Sequence, residues 1–152
     1  MEKNAQKKDT FSTAALLEQL FKTTSFERFL ERNGERMQTV DFGEYIRSLC
    51  KQKGLVRERV IQRSGIERTY GHQIFRGIRE PSRDKVLQLA IGFGLNPEEA
   101  GKLLRIAGKS SLYPKIKRDA AILFCIQRGK TIIETQLLLE HLGFSQLGDK
   151  SC

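Results

Sequence analysis

Between Lys51 and Arg79 the chain places eight basic side chains, Lys51, Lys53, Arg57, Arg59, Arg63, Arg68, Arg76 and Arg79, against only Glu58 and Glu67. A local surplus of that size can hold a polyanion, because several cations on one surface sum to a field that attracts and orients phosphates. The surplus is also local. The whole chain carries a net charge of +9, and residues 41–115 hold seven of those charges. A charge run is equally what a solvated face looks like, so charge alone does not separate the two.

Other chemistries are poorly supplied. Cys50, Cys125 and Cys152 are an odd, scattered set with no CxxC spacing, and they read as two reduced core thiols and one terminal thiol. Only His72 and His141 could serve as a base or ligand beside them. There is no glycine-rich phosphate loop, no HExxH and no GxSxG, so neither an enzyme nor a bound metal or cofactor is expected. The 152 residues amount to about one domain. The longest apolar run, Ala120 to Ile126, falls far short of the roughly 20 residues that span a bilayer, so no membrane association is expected. The opening MEKNAQKKDT has lysines with no apolar stretch behind them. The expectation is a chain without a secretion signal that stays in the cytoplasm.

The elements that must position the basic residues read as short helices throughout, giving an all-α fold. Thr24 to Glu27 has the form of a capping box, followed by Phe26, Phe29 and Leu30 on one face and Asn33-Gly34 as a stop. Asp41 caps the next helix, with Phe42, Tyr45, Ile46, Leu49 and Cys50 at helical spacing up to Gly54. Gly65 closes a short helix holding Val60 and Ile61, and Glu67 to Gly77 forms the one after it. Ser82 caps a helix with Val86, Leu89, Ala90 and Phe93 inward. Asn96-Pro97-Glu98-Glu99 supplies a cap, a first-turn proline and a third-position glutamate. Thr131 and Glu134 form one more box.

The chain also repeats itself at a shift of 35 residues from Arg83 onward. Arg83-Asp84 falls on Arg118-Asp119, Gly94 on Gly129, Leu103-Leu104 on Leu138-Leu139, and Gly108 on Gly143. Two helical hairpins, 83–108 and 118–143, are predicted, with Leu112-Tyr113-Pro114 between them. The organisation read from this is a helical flank at 1–40, its first residues (about ten) disordered, then a main domain at 41–112. A hairpin at 113–147 packs on that domain, and 148–152 is a tail.

Residues 42–95 resemble the helix-turn-helix of the XRE, or phage-repressor, family. The matching positions are Gly54-Leu55, Gly65-Ile66 at the turn, Tyr70, Ile74, Arg76-Gly77, Arg79, Pro81-Ser82, and the helix with Leu87, Leu89 and Ala90. Their spacing is ungapped and covers about a third of the chain. The whole chain also looks like bacterial helix-turn-helix regulators of transcription with helical N- and C-terminal flanks. The resemblance implies a repressor-like bundle, extended here by the N-terminal helices and the extra C-terminal hairpin. It implies that the helix from Glu67 enters the major groove of double-stranded DNA with its N-terminal residues at the base edges. Glu67, Arg68, Thr69, His72 and Gln73 would face the groove. Arg68 suits a guanine edge, Gln73 an adenine edge, and Thr69 a thymine methyl or a phosphate. Arg57, Arg76 and Arg79 would meet the phosphate backbone.

Four positions depart from the family's pattern, and they define a second hypothesis. Arg57 stands where the family usually has Gln. Ile61 replaces a small residue at a tight helix crossing. Gly71 replaces a core aliphatic residue, which should remove a packing group and cost about 1 kcal/mol of helix propensity. Phe75 takes a position that is usually acidic and exposed; it either packs on a flank or offers a protein contact. The alternative to a DNA-binding regulator, drawn from Phe75, Gly71 and the long flanks, is a protein-interaction module that keeps the fold without the reading. A homodimer could form through Leu16, Leu17, Leu20 and Phe21, or through the Ala120–Ile126 helix with Leu137–Leu142. For the second surface, burial within one chain is the favoured expectation, because the repeat demands it.

Overall fold

The computed structural model describes residues 12–37 and 40–148. Among the described residues there are nine α-helices and no strand. They belong to two compact units, Met1–Thr39 and Val40–Cys152. The expected disorder of the first residues, most of the short C-terminal tail, and Cys152 lie outside the described residues.

The first unit holds α1 (Thr13–Lys22) and α2 (Phe26–Asn33). Ser12 caps α1 by accepting from the Ala15 N–H at 3.1 Å. The cap of α2 is Ser25, which accepts from the Arg28 N–H, so the predicted box at Thr24 is displaced by one residue. Phe29 and Asn33 are its buried residues. Asn33 donates to the Phe29 carbonyl at 3.1 Å and to Gln19 Oε1 at 3.3 Å, which ties α2 to α1. Leu17, Leu20, Phe21, Phe26 and Leu30 are exposed within this unit.

The second unit runs α3 (Phe42–Lys53), α4 (Arg57–Ser64), α5 (Arg68–Phe75), α6 (Arg83–Phe93), α7 (Pro97–Ile106), α8 (Lys117–Gln127) and α9 (Ile132–His141). Local chemistry sets its boundaries. Asp41, Ser82, Asn96 and Thr131 cap their helices as their sequences require, the last two in complete capping boxes. Gly54 and Gly65 end α3 and α4 at φ +65° and +72°, a region glycine enters without steric cost. Gly65 carries a second constraint, because a Cβ there would sit 3.2 Å from Ile132 of α9.

The core is one cluster shared by all seven helices of this unit. Ile46, Val60, Ile61, Ile74, Phe75, Val86, Leu89, Leu104, Ile122 and Leu139 are all buried in it. α4 and α6 pack at its centre and approach closely at Gly92, whose added Cβ would lie 2.6 Å from the Val60 carbonyl oxygen. Both hairpins form at the predicted places. Ile122, Cys125, Ile126 and Leu139 of the second are buried, so part of that surface is core, while Phe124, Leu137 and Leu142 remain exposed. Cys50 and Cys125 are free and buried, as their sequence setting suggested.

Candidate nucleic-acid interface

α4 and α5 are joined by Gly65, Ile66 and Glu67, a three-residue turn between two short helices. Buried Ser64 stitches the turn by donating to the Ile61 carbonyl at 2.6 Å and accepting from the Ile66 N–H at 3.2 Å. Glu67 caps α5, its two carboxylate oxygens accepting from the Thr69 and Tyr70 N–H groups at 2.9 Å each. Those bonds, Thr69's first and Tyr70's second, hold its carboxyl below the usual range. The sequence reading ran this helix from Glu67 to Gly77, whereas the structure has it from Arg68 to Phe75. Glu67 is the flanking cap. Gly77, at φ +77°, closes the far end, with the Ile78 N–H donating to the Gln73 carbonyl at 2.9 Å.

The inward face of α5 carries Gly71, Ile74 and Phe75, all buried. Thr69, His72, Gln73 and Arg76 lie at i, i+3, i+4 and i+7 and form a stripe on the other side. Thr69 and Arg76 are exposed, and His72 and Gln73 are half-buried. Arg68 stands exposed at the start of the helix. Its Nε lies 2.7 Å from Glu58 Oε1 in a solvent-facing ion pair, and its two terminal amino groups face no other carboxylate among the described residues. Such a pair contributes at most about 1 kcal/mol and exchanges readily for a better partner. Arg79 donates from Nε to Gln73 Oε1 at 2.8 Å, and its guanidinium lies 5.1 Å over the Tyr70 ring. The Gln73 amide oxygen is thereby held toward Arg79. The Lys85 ammonium lies over the same Tyr70 ring at 5.5 Å. Sequence reasoning missed Glu58 as the partner of Arg68, and Tyr70 as the ring under Arg79 and Lys85, since Glu58 and Lys85 reach these residues from neighbouring helices and Arg79 from the loop after α5.

Arg57 opens α4, half-buried, with its guanidinium 5.1 Å from the Phe75 ring centroid. The cap position before it is Val56, which offers no side-chain acceptor, so the first N–H groups of α4 keep their positive end uncapped. Arg57 also lines a cleft of about 400 Å³ with Arg47 and Lys51, two residues spaced i, i+4 on α3. Arg47 donates to the Phe75 carbonyl at the end of α5. Cys50 borders the cleft. Burial pushes its thiol up and the Arg57 charge only partly opposes this, so it stays protonated near neutral pH. Arg47 was not singled out in the sequence, although its spacing from Lys51 was a visible signal.

Two expectations are corrected. Phe75 has no exposed surface. It packs 6.3 Å from Phe93 inside the unit's own core, rather than on an added flank or toward a partner. The reason is helical period: Phe75 lies one turn after Gly71 on the inward face. Nor does Gly71 leave an unfilled place. A Cβ there would fall 2.5 Å from Ile61 Cγ2, so Ile61 of α4 fills the volume that Gly71 of α5 vacates.

The comparisons with known proteins agree with this geometry. A family model described as a helix-turn-helix domain matches residues 41–103, the stretch from the cap of α3 into α7. No curated protein and no solved structure matches the chain. Residues 41–103 of this chain are thus similar to a helix-turn-helix domain, and α4, the Gly65 turn and α5 lie at the centre of the matched stretch.

Proposed function

We propose that the protein is a transcriptional regulator that binds double-stranded DNA, with α5 in the major groove. The observation that carries this reading is the division of α5 into two faces. Gly71, Ile74 and Phe75 anchor it in the core, while Thr69, His72, Gln73 and Arg76 present hydrogen-bonding groups outward between two cationic flanks. Arg68, with Glu67 fixing the helix start behind it, suits a guanine edge, and Gln73 suits an adenine edge. Arg47, Lys51 and Arg57 around the uncapped start of α4 suit a backbone phosphate. This is a binding site, not a catalytic one, and it requires no cofactor. A regulator of this kind works in the cytoplasm. Of the features that favoured a pure protein-interaction module, Phe75 and Gly71 no longer do so, because one is core and the other is filled by Ile61, and the long flanks alone remain.

The test is a binding selection on randomised duplex, run with the wild type and with Gln73→Ala. The wild type should enrich a site. Gln73→Ala should lose about 1–3 kcal/mol at particular positions of that site and little on random DNA. A wild type that enriches nothing, with weak binding indifferent to Gln73, would refute the reading.

Arg57 and Arg79 should behave differently from each other. Arg57→Ala should weaken binding to all duplexes alike and lower the salt slope by about one. Arg79→Ala should also relax the preference set by Gln73, because it removes the donor that holds the Gln73 amide. Equal, sequence-independent losses for both variants would exclude the orienting role of Arg79.

A further inference from the structure

The two hairpins of the repeat face each other through contacts that map onto themselves. Arg83, in the first turn of α6, donates to both carboxylate oxygens of Asp119, in the first turn of α8, at 3.1 and 2.9 Å. Arg118, its counterpart 35 residues on, donates to both oxygens of Asp84 at 3.2 and 3.0 Å. Each guanidinium also holds two loop carbonyls of its own repeat, those of Ser110 and Ser111 for Arg83 and of Ser145 and Gln146 for Arg118. Each aspartate accepts one backbone N–H from the end of the other repeat: Asp119 from Tyr113 at 2.9 Å, Asp84 from Gly148 at 3.0 Å. The helices obey the same exchange, with α6 packing on α9 and α7 on α8. When residue i meets j, and the counterpart of j meets the counterpart of i, the arrangement is that of a two-fold interface between like subunits.

Burial divides the repeat positions into two sets. Leu87 and Ile122, Ala90 and Cys125, and Leu104 and Leu139 are buried in both copies. Leu89 and Phe93 are buried only in the first, where α4 lies against α6. Their counterparts are exposed Phe124 and Arg128, and the Arg128 guanidinium lies 4.7 Å over the Phe124 ring. The second copy thus keeps the face that meets the first and has turned the other face toward water.

We propose that residues 118–148 occupy the place of a second copy of residues 83–113, filling within one chain the surface on which two chains would otherwise pair. The second-copy position is closed, and this face takes no partner chain. Only the first half of this internal pair carries a recognition helix. Resting on the DNA-reading proposed above, the consequence is a single-headed protein whose site has no inverted repeat.

The experiment is sedimentation equilibrium and thermal unfolding of the full chain over a wide concentration range, for the wild type, Arg83→Ala and Arg118→Ala. The expected result is a wild-type monomer with a concentration-independent midpoint, and losses in the two variants that match within a factor of two. A dimer that either substitution weakens overturns the proposal. A dimer that neither substitution affects supports the closure of this face, because association then uses another surface, but overturns the single-headed consequence. A large loss in one variant with none in the other also overturns it. Should the alanine variants not fold, Arg83→Lys and Arg118→Lys keep the charge, lose the paired hydrogen bonds, and carry the same requirement of matched losses. The duplex selected by the wild type completes the test. An inverted repeat bound by two chains that Arg83→Lys uncouples counts against closure. If no site is selected, the DNA reading fails while the mass and midpoint results still decide closure.

Discussion

Asp119→Ala is expected to lower the stability of the second unit by about 3 kcal/mol, near the lower end for breaking a buried ion pair. On a chain of this size that is a fall of about 10 °C in the unfolding midpoint. The Asp119 side chain is 5% exposed and accepts from the Arg83 guanidinium and the Tyr113 N–H, so alanine strands the Tyr113 N–H and leaves Arg83 only the Ser110 and Ser111 carbonyls. The Arg83 side chain is 26% exposed, and water reaching it keeps the loss from being larger. Asp119→Asn should cost less, since an amide oxygen still accepts one of those bonds. The charge has a pH signature. Burial pushes the Asp119 carboxyl up, but the hydrogen bonds from Arg83 and Tyr113 outweigh it and the net displacement is downward. Asp84 is lowered in the same way by Arg118 and Gly148. A carboxyl lowered in the folded state contributes stability above its unfolded value, about 4 for aspartate. That contribution is lost as pH falls through the folded value. The midpoint difference between wild type and Asp119→Asn should therefore be largest near neutral pH and close in acid. A difference that stays constant through the acid range would show that the charge contributes nothing.

Much of this architecture is written in local chemistry. Asn96 and Glu99, and Thr131 and Glu134, satisfy each other's backbone groups within four residues, so neither capping box depends on the rest of the fold. Gly54 and Gly65 mark helix ends for the same reason. The 35-residue register was visible because caps, stops and apolar positions all recur together. What could not be read is what crosses between elements. Arg83 and Asp119 are 36 residues apart, and nothing in the repeat says that each arginine seeks the other copy's aspartate rather than its neighbour. Ser25 took the cap from Thr24 because a one-residue shift leaves the local pattern nearly unchanged. In the interface, the stripe on α5 followed from period and resemblance together. The contacts of Gln73 in that stripe with Arg79, and of neighbouring Arg68 with Glu58, depend on how the loop after α5 and α4 approach. Phe75 shows the opposite error. The family's exposed acidic position points to a flank or a partner, whereas the residue's place one turn after Gly71 puts it in the unit's own core.

Gly71→Ala and Ile61→Ala are each expected to destabilise the protein, and together to destabilise it by less than their sum. In isolation Gly71→Ala should help, because alanine is better than glycine in a helix by about 1 kcal/mol. Here the new methyl would meet Ile61 Cγ2 at 2.5 Å and Cγ1 at 2.9 Å. Ile61 is β-branched within α4 and has little rotamer freedom with which to retreat. Overpacking of this kind costs about 1–3 kcal/mol and should leave a net loss. Ile61→Ala opens a cavity at a site 2% exposed and should cost about 3 kcal/mol. In the double variant the Gly71→Ala methyl enters the space that Ile61 has left, so the clash disappears and part of the cavity fills. The coupling, read from denaturant midpoints around the double-mutant cycle, should be about 1–2 kcal/mol in the relieving direction. Additive losses would mean that the two residues do not share one volume, and the explanation of both departures from the repressor pattern would fall with it. The same crossing fixes how α5 sits on α4 and therefore where Thr69, Gln73 and Arg76 point. On the proposed DNA reading, Ile61→Ala should thus loosen discrimination between DNA sites at temperatures where the protein is still folded, and adding Gly71→Ala should recover part of it.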